Sequence, residues 1–254
     1  LSKGFTQKNT LGNTYEWGQY DQSRVDIWED YSDAIWDVNP DAYIILEHFA
    51  ENAEEKVLSQ NGMLLWGNMN HDYNEATMGY NDGGNSDFSW ISYQDRGWDD
   101  PHVVGYMESH DEERLQYRNL TWGNSVPGYD ITQTDIGLER LGLAASFFFT
   151  IPGPKMIWQF GEMGYDYSID YNGRTGPKPI RWDYLDDWRR EYLFHVYAAL
   201  IDLKKNHEVF STTDFSLDLY NATKSITLRG SDMNVVVVGN FGLENYDHEP
   251  DWPN

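Results

Sequence analysis

The sequence predicts an α/β fold with a parallel sheet, followed by the start of a small antiparallel β domain. Three observations carry this. Short apolar runs alternate with amphipathic helical stretches up to about residue 208, the pattern of βαβ units. Three of those runs end in polar or charged residues, as strands do where parallel folds build their sites. From about residue 211 strands follow one another with turn residues between them and no helix.

The elements follow in order. Val25, Trp28, Tyr31, Ile35 and Val38 recur at spacings of three and four, one face of a helix that Pro40 stops. Ala42 to Leu46 is a short run apolar on both faces, which reads as a buried parallel strand ending in Glu47. Met63 to Trp66 is the second strand. Residues 67 to 87 are rich in Asn, Gly and Asp and read as a long loop, with a helix from about Asp87. Val103 to Met107 is the third strand, ending in Glu108-Ser109-His110-Asp111. Leu138, Leu141, Ala145 and Phe148 mark a helix that Pro152-Gly153-Pro154 breaks. Lys155 to Gln159 is the fourth strand, and Tyr192, Val196, Ala199 and Leu203 mark the last helix. Phe215 to Leu219, Ser225 to Leu228 and Val235 to Val238 are the antiparallel strands. Residues 1–208 and 211–254 are thus expected to be two domains.

Composition removes several functions. With 18 Lys and Arg against 42 Asp and Glu, the 254 residues carry a net charge of −24 and lack the basic footprint that nucleic acid requires. The same charge disfavours anionic membranes, and no apolar run reaches the ~18 residues of a membrane span. Neutral substrates stay open. Eleven Trp and eighteen Tyr are too many for a disordered chain. The absence of Cys excludes disulfides and thiolate chemistry and leaves the compartment open. The chain opens without Met or a signal peptide and closes abruptly, so it is expected to be a segment of a longer protein. A secreted or periplasmic location is expected, with no targeting signal to read; the oligomeric state is left open.

Two strand ends could carry chemistry. Glu47 follows Ile44, Ile45 and Leu46; a carboxyl in such a partly apolar setting has its pKa raised and can serve as a general acid. A solvated Glu opening a loop is the alternative. Asp111 could be a second carboxylate, with His110 donating to a substrate hydroxyl, or the 108–113 run could be a plain acidic loop. Paired carboxylates at neighbouring strand ends suggest glycoside hydrolysis, and exposed aromatics would stack on sugar rings. The His residues lack the i, i+4 pairing of zinc proteases, so no metal ligands are assigned. No G-x-S-x-G exists for a serine nucleophile.

The order Glu47, Ser109-His110-Asp111, Pro152-Gly153-Pro154 and Gln159-Phe160-Gly161-Glu162 resembles the α-amylase family of glycoside hydrolases. Lys178-Pro179-Ile180-Arg181-Trp182-Asp183 is similar to the family's pattern after strand eight. The resemblance implies the second half of a (β/α)8 TIM barrel, strands five to eight, then the opening of a C-terminal β domain. It implies a retaining hydrolase of α-linked glucans, with Glu47 as acid/base and Asp111 stabilising the transition state. His110 and Lys3 would bind sugar. Leu1-Ser2-Lys3-Gly4 fits the residues directly after the family's Asp nucleophile, which would stand just before Leu1; Gly4 replaces the usual His. Calcium is a candidate cofactor through the same resemblance. Asn70-His71-Asp72 matches the family's usual wording more literally than Ser109-His110-Asp111, but it lies only 24 residues after Glu47 and is assigned to the strand-six loop. A non-catalytic glucan-binding protein, a transglycosylase and an α-1,6-glucosidase are the alternatives on this fold.

Overall fold

The computed structural model describes residues 1–253. The chain forms two compact units, residues 1–67 with 90–105, and residues 68–89 with 106–254.

The first unit opens with a 3₁₀ turn, Ser2–Phe5, and a short helix, α1 (Thr14–Gly18). The next helix, α2 (Gln22–Val38), starts where the Asp21 carboxylate accepts from the Ser23 backbone N–H, and ends before Pro40. Its buried stripe is rotated from the predicted face. Arg24, Val25 and Ser32 are buried, whereas Tyr31, Ile35 and Val38 are exposed. Tyr31 instead joins Trp28 and Phe5 in a surface cluster of edge-to-face rings.

Strand β1 (Ile45–Leu46) leads through α3 (Asn52–Gln60) to β2 (Leu64–Asn68), with which it pairs in parallel, Ile45 opposite Leu64. The predicted burial of both faces is corrected here. Ile44 and Leu46 are 9% and 4% exposed, but Tyr43 and Ile45 are 86% and 50% exposed, the period of two of a strand covered on one side. The Leu65 N–H bonds the His102 carbonyl at 2.9 Å, setting β3 (Val103–Tyr106) beside β2; all four β3 residues are buried.

In the second unit, residues 67–87 depart from the predicted loop. Asn70–Met78 form helix α4, and only a 3₁₀ turn, Ser89–Ile91, replaces the helix expected from Asp87. The Asn68 side chain accepts from the Asn70 N–H at the helix start, and Tyr73, Ala76 and Thr77 form the buried face. Helix α5 (Leu115–Trp122) and a small hairpin, β4 (Ser125–Val126) with β5 (Tyr129–Asp130), precede α6 (Thr134–Thr150). On α6 Leu138, Leu141, Ala145 and Phe148 are all buried, the predicted face. After the Pro-Gly-Pro break, β6 (Lys155–Met156) is shorter than the expected Lys155–Gln159. It neighbours β3, whose last residue Tyr106 belongs to this unit, and gives the strand order β1-β2-β3-β6. Helix α7 (Trp188–Asn206) buries Arg190, Leu193 and Tyr197, not the predicted Tyr192, Ala199 and Leu203 stripe.

The antiparallel sheet closes the chain: β7 (Phe215–Asp218), β8 (Thr223–Arg229) and β9 (Asn234–Asn240), with Leu217 opposite Ile226 and Ile226 opposite Val237. Phe241 stacks edge-on with Phe147 of α6 at 5.3 Å. Lys224 is fully buried; its ammonium donates to the carbonyls of Ser86, Leu219 and Asn221. No helix among the described residues is long and apolar enough to cross a membrane.

Candidate active site

Glu47 stands one residue past β1 and is half-buried. Its carboxylate accepts no hydrogen bond from the described residues, which leaves both oxygens available. Its backbone carbonyl accepts from the Ser2 N–H at 2.7 Å, and the Lys3 ammonium donates to the Phe49 carbonyl at 3.0 Å. Residues 2–3 are thereby fastened to residues 47–49, and Lys3 lies in the same corner as Glu47. Phe49 carries a left-handed backbone, φ 56°, and Phe160 after β6 another, φ 64°. Non-glycine residues hold such conformations only where their surroundings impose them, and they cluster at functional sites.

Behind Glu47 lies a polar cluster that the sequence reading did not single out. His48, Glu54 and Arg24 are fully buried. The Arg24 guanidinium grips Glu54 with two bonds of 2.6 Å, and His48 Nε2 meets the same carboxylate at 2.6 Å. Burial opposes ionisation of Glu54, but the His48 and Arg24 bonds hold its carboxyl below the usual value. A Glu seven residues after Glu47 and an Arg on the preceding helix give no sequence signal, because their pairing is set by tertiary packing.

In the second unit β3 runs into Met107-Glu108-Ser109, all buried, and then turns His110 and Asp111 outward. They line a cleft of about 330 Å³ with Arg114, Trp158, Arg174 and Lys178. The His110 and Trp158 rings lie 5.9 Å apart. Asp111 pairs with Arg174 at 3.1 Å, and its N–H donates to Ser109 Oγ. The Arg114 guanidinium braces the turn by donating to the Ser109 and Glu112 carbonyls. Glu113 accepts from Ser168 Oγ and the Ile169 N–H, each at 2.8 Å, and so ties the loop after β6 to the end of β3. A cleft with an imidazole, an indole, a carboxylate and cations can hydrogen-bond and stack on a polyhydroxylated ring.

Glu108, which the alternative of a plain acidic loop over 108–113 would expose, is buried and accepts from the Leu115 N–H at 2.7 Å. Burial pushes its carboxyl up to about 7, against the opposing charge of Arg114. Asn70 is also structural. Its amide donates to the Met107 and Glu113 carbonyls, each at 2.8 Å, so the Asn70-His71-Asp72 run sits on α4 and not in a loop. A larger groove of about 560 Å³ between α6 and α7, lined mainly by Leu138, Leu143, Trp188 and Tyr192, holds none of the predicted site residues. No group of three or more His, Asp or Glu side chains among the described residues is arranged to hold a metal ion.

No protein-family model matches the chain, and no curated protein matches it. Solved structures do. A cyclomaltodextrinase superposes with a TM-score of 0.56 at 19% identity, over 85% of this chain and 34% of that one. An α-amylase from Geobacillus thermoleovorans, complexed with acarbose, gives 0.58 at 14% identity, over 88% of this chain and 48% of that one. An α-amylase from H. orenii gives 0.57 at 18% identity, over 87% and 47%. The chain has the fold of the C-terminal half of the α-amylase barrel proteins. At these identities the likeness is one of fold, and the chain spans between a third and a half of the length of these structures. The parallel sheet and the three-stranded antiparallel sheet are consistent with part of that barrel and a β domain.

Proposed function

We propose that these residues belong to a retaining glycoside hydrolase acting on α-linked glucans. The observation that supports the reading is that Glu47 directly follows β1 and that His110-Asp111 follow β3 after the buried Met107-Glu108-Ser109, in a chain with an α-amylase-type fold whose strand ends are where parallel barrels build their sites. The neighbours' names, amylase and cyclomaltodextrinase, support the substrate class. Because the chain spans less than half of those proteins, the activity is proposed for the longer catalytic unit.

In that unit Glu47 protonates the glycosidic oxygen, and an Asp outside residues 1–254 attacks the anomeric carbon to form a glycosyl-enzyme ester. Glu47 then takes a proton from water, whose oxygen displaces the ester. Retention requires acid and nucleophile roughly 5–5.5 Å apart. Lys3 and His110 bind sugar hydroxyls, and Asp111 faces the positive charge that develops on the ring. The test is Glu47→Gln in the full-length protein, with reducing-sugar release from soluble starch as the readout. General acid catalysis is worth about 10²–10⁴-fold, so turnover should fall by that range while glucan binding survives. Turnover near wild type would remove Glu47 from the role.

A further inference from the structure

We infer that His48 is a positioning residue, whose imidazole bridges Ser2 to Glu54 and so fixes the segment carrying Lys3 against the strand end carrying Glu47. The inference rests on the reading of Glu47 as the acid. Its observations all lie in the first unit.

The bridge has one consistent proton arrangement. Glu54 is gripped by the Nε and Nη2 edge of the Arg24 guanidinium and also accepts the Asp21 N–H at 2.8 Å, so it is an ionised acceptor. His48 Nε2, 2.6 Å from Glu54 Oε1, must therefore donate. Burial holds the imidazole below its ordinary pKa, so it is neutral and Nδ1 carries a lone pair. The Ser2 hydroxyl, 2.6 Å away, donates to that lone pair. The same hydroxyl lies 3.3 Å from the Glu47 carbonyl, but that carbonyl already accepts the Ser2 N–H at 2.7 Å. The hydroxyl thus has one strong acceptor, and it is His48.

The far end of the bridge is rigid. All five N–H donors of Arg24 are used: two on Glu54 and three on the carbonyls of Lys3, Trp17 and Gln19. Arg24 therefore holds Lys3 from one side through its carbonyl at 2.8 Å, while His48 holds Ser2 from the other. The Lys3 ammonium then reaches the Phe49 carbonyl, presented by a left-handed residue. Without the Ser2–His48 bond, the segment keeps the Arg24 bond to the Lys3 carbonyl and the Lys3 bond to Phe49, but Ser2 is held only through its backbone and the Lys3 side chain can shift. A misplacement of about an ångström in the site can cost about 100-fold in rate.

The experiment compares Ser2→Ala, Ser2→Thr and His48→Gln in the full-length protein. Ser2 is only partly buried, so its variants fold even if His48→Gln does not. Expected are a 10- to 100-fold fall in kcat/KM for Ser2→Ala, carried by a lower kcat and by a raised KM because Lys3 binds sugar, and recovery in Ser2→Thr, which keeps the hydroxyl. A role limited to stability would lower Tm and leave kcat intact. Wild-type kcat in Ser2→Ala would overturn the inference. Imidazole nitrogen NMR supplies a readout that needs no activity: His48 should be neutral, protonated on Nε2, with an Nδ1 signal that moves in Ser2→Ala. If the wild-type protein releases no sugar from starch, the functional reading falls, and the spectrum alone decides the bridge. An imidazole that titrates freely or exchanges tautomers overturns it.

Discussion

Glu108 shows what burial does to a carboxyl beside a cleft. Its carboxyl is held near pH 7, against 4.5 for an unburied Glu, because no water solvates the charge. Below about pH 4.5 both folded and unfolded chains are protonated there and the residue contributes nothing. As pH rises from 4.5 to 7 the unfolded chain loses its proton first, so stability falls; above 7 the loss is complete, on the order of 3 kcal/mol. Glu108→Gln keeps an acceptor for the Leu115 N–H and has no charge to bury. Its Tm should therefore fall less than that of wild type between about pH 5 and pH 8. Equal slopes in the two proteins would place Glu108 in water. Asp72, raised by burial to about 6, and Glu55, raised to about 7, give slopes of the same sign in both proteins and cancel in the comparison. The sequence could not separate these acids. In Glu108, Glu112 and Glu113 it offers three like residues in six. Folding makes the first buried, the second a partner of Asn68 and Ser109, and the third an anchor for the loop at Ser168. The strand-end pattern that singled out Glu47 and Asp111 reports position along the chain, and it carries no information on which carboxylates lose their water.

At the scale of elements, the parallel strands were legible as short apolar runs and the long helices α2, α6 and α7 as apolar residues at spacings of three and four, while α4 was not. Its residues, Asn70 to Met78, include two Asn and an Asp, which favour caps and turns by propensity. The helix forms because Asn68 and Asn70 supply its first turn with partners, Tyr73 stacks on Phe88 at 4.2 Å, and Gly79 ends it. Gly79 takes φ 85°, and a Cβ there would stand 2.6 Å from Leu243 Cδ1 and 3.0 Å from Ile131 Cδ1. Gly79→Ala therefore adds a steric clash to the left-handed strain, together about 2–3 kcal/mol. Gly128 has nearly the same φ, 89°, with open space around its Cβ position, so Gly128→Ala should cost only the strain, about 1 kcal/mol. Urea midpoints measure both, and equal shifts would mean that the α4 end is free to move. The rotated faces of α2 and α7 have the same origin. Periodicity finds a helix, but a helix with aromatics on two faces buries whichever one its neighbours cover.

For the whole molecule, the parallel order β1-β2-β3-β6 and the three-stranded sheet after it were predictable from the change of pattern near residue 210, since helices stop separating the strands there. The chain covers only 34% and 48% of two α-amylase-fold structures it matches, and strands at the edge of an open parallel sheet leave backbone donors and acceptors unpaired. Apolar side chains next to those strands are in water: Tyr43 and Ile45 around β1, and Ile157 after β6. A parallel sheet is stable when both faces are covered. Residues 1–254 produced alone should consequently be poorly soluble, melt over a broad range and release no reducing sugar from soluble starch. On the proposed reading, turnover requires the longer catalytic unit, supplied in the same chain or in trans, because that unit would bring both the covering strands and the Asp nucleophile. The net charge of −24 opposes aggregation by like-charge repulsion, so the low solubility should worsen as salt screens it. A sharp cooperative melt together with starch hydrolysis by residues 1–254 alone would show that the four strands and the residues they carry are sufficient.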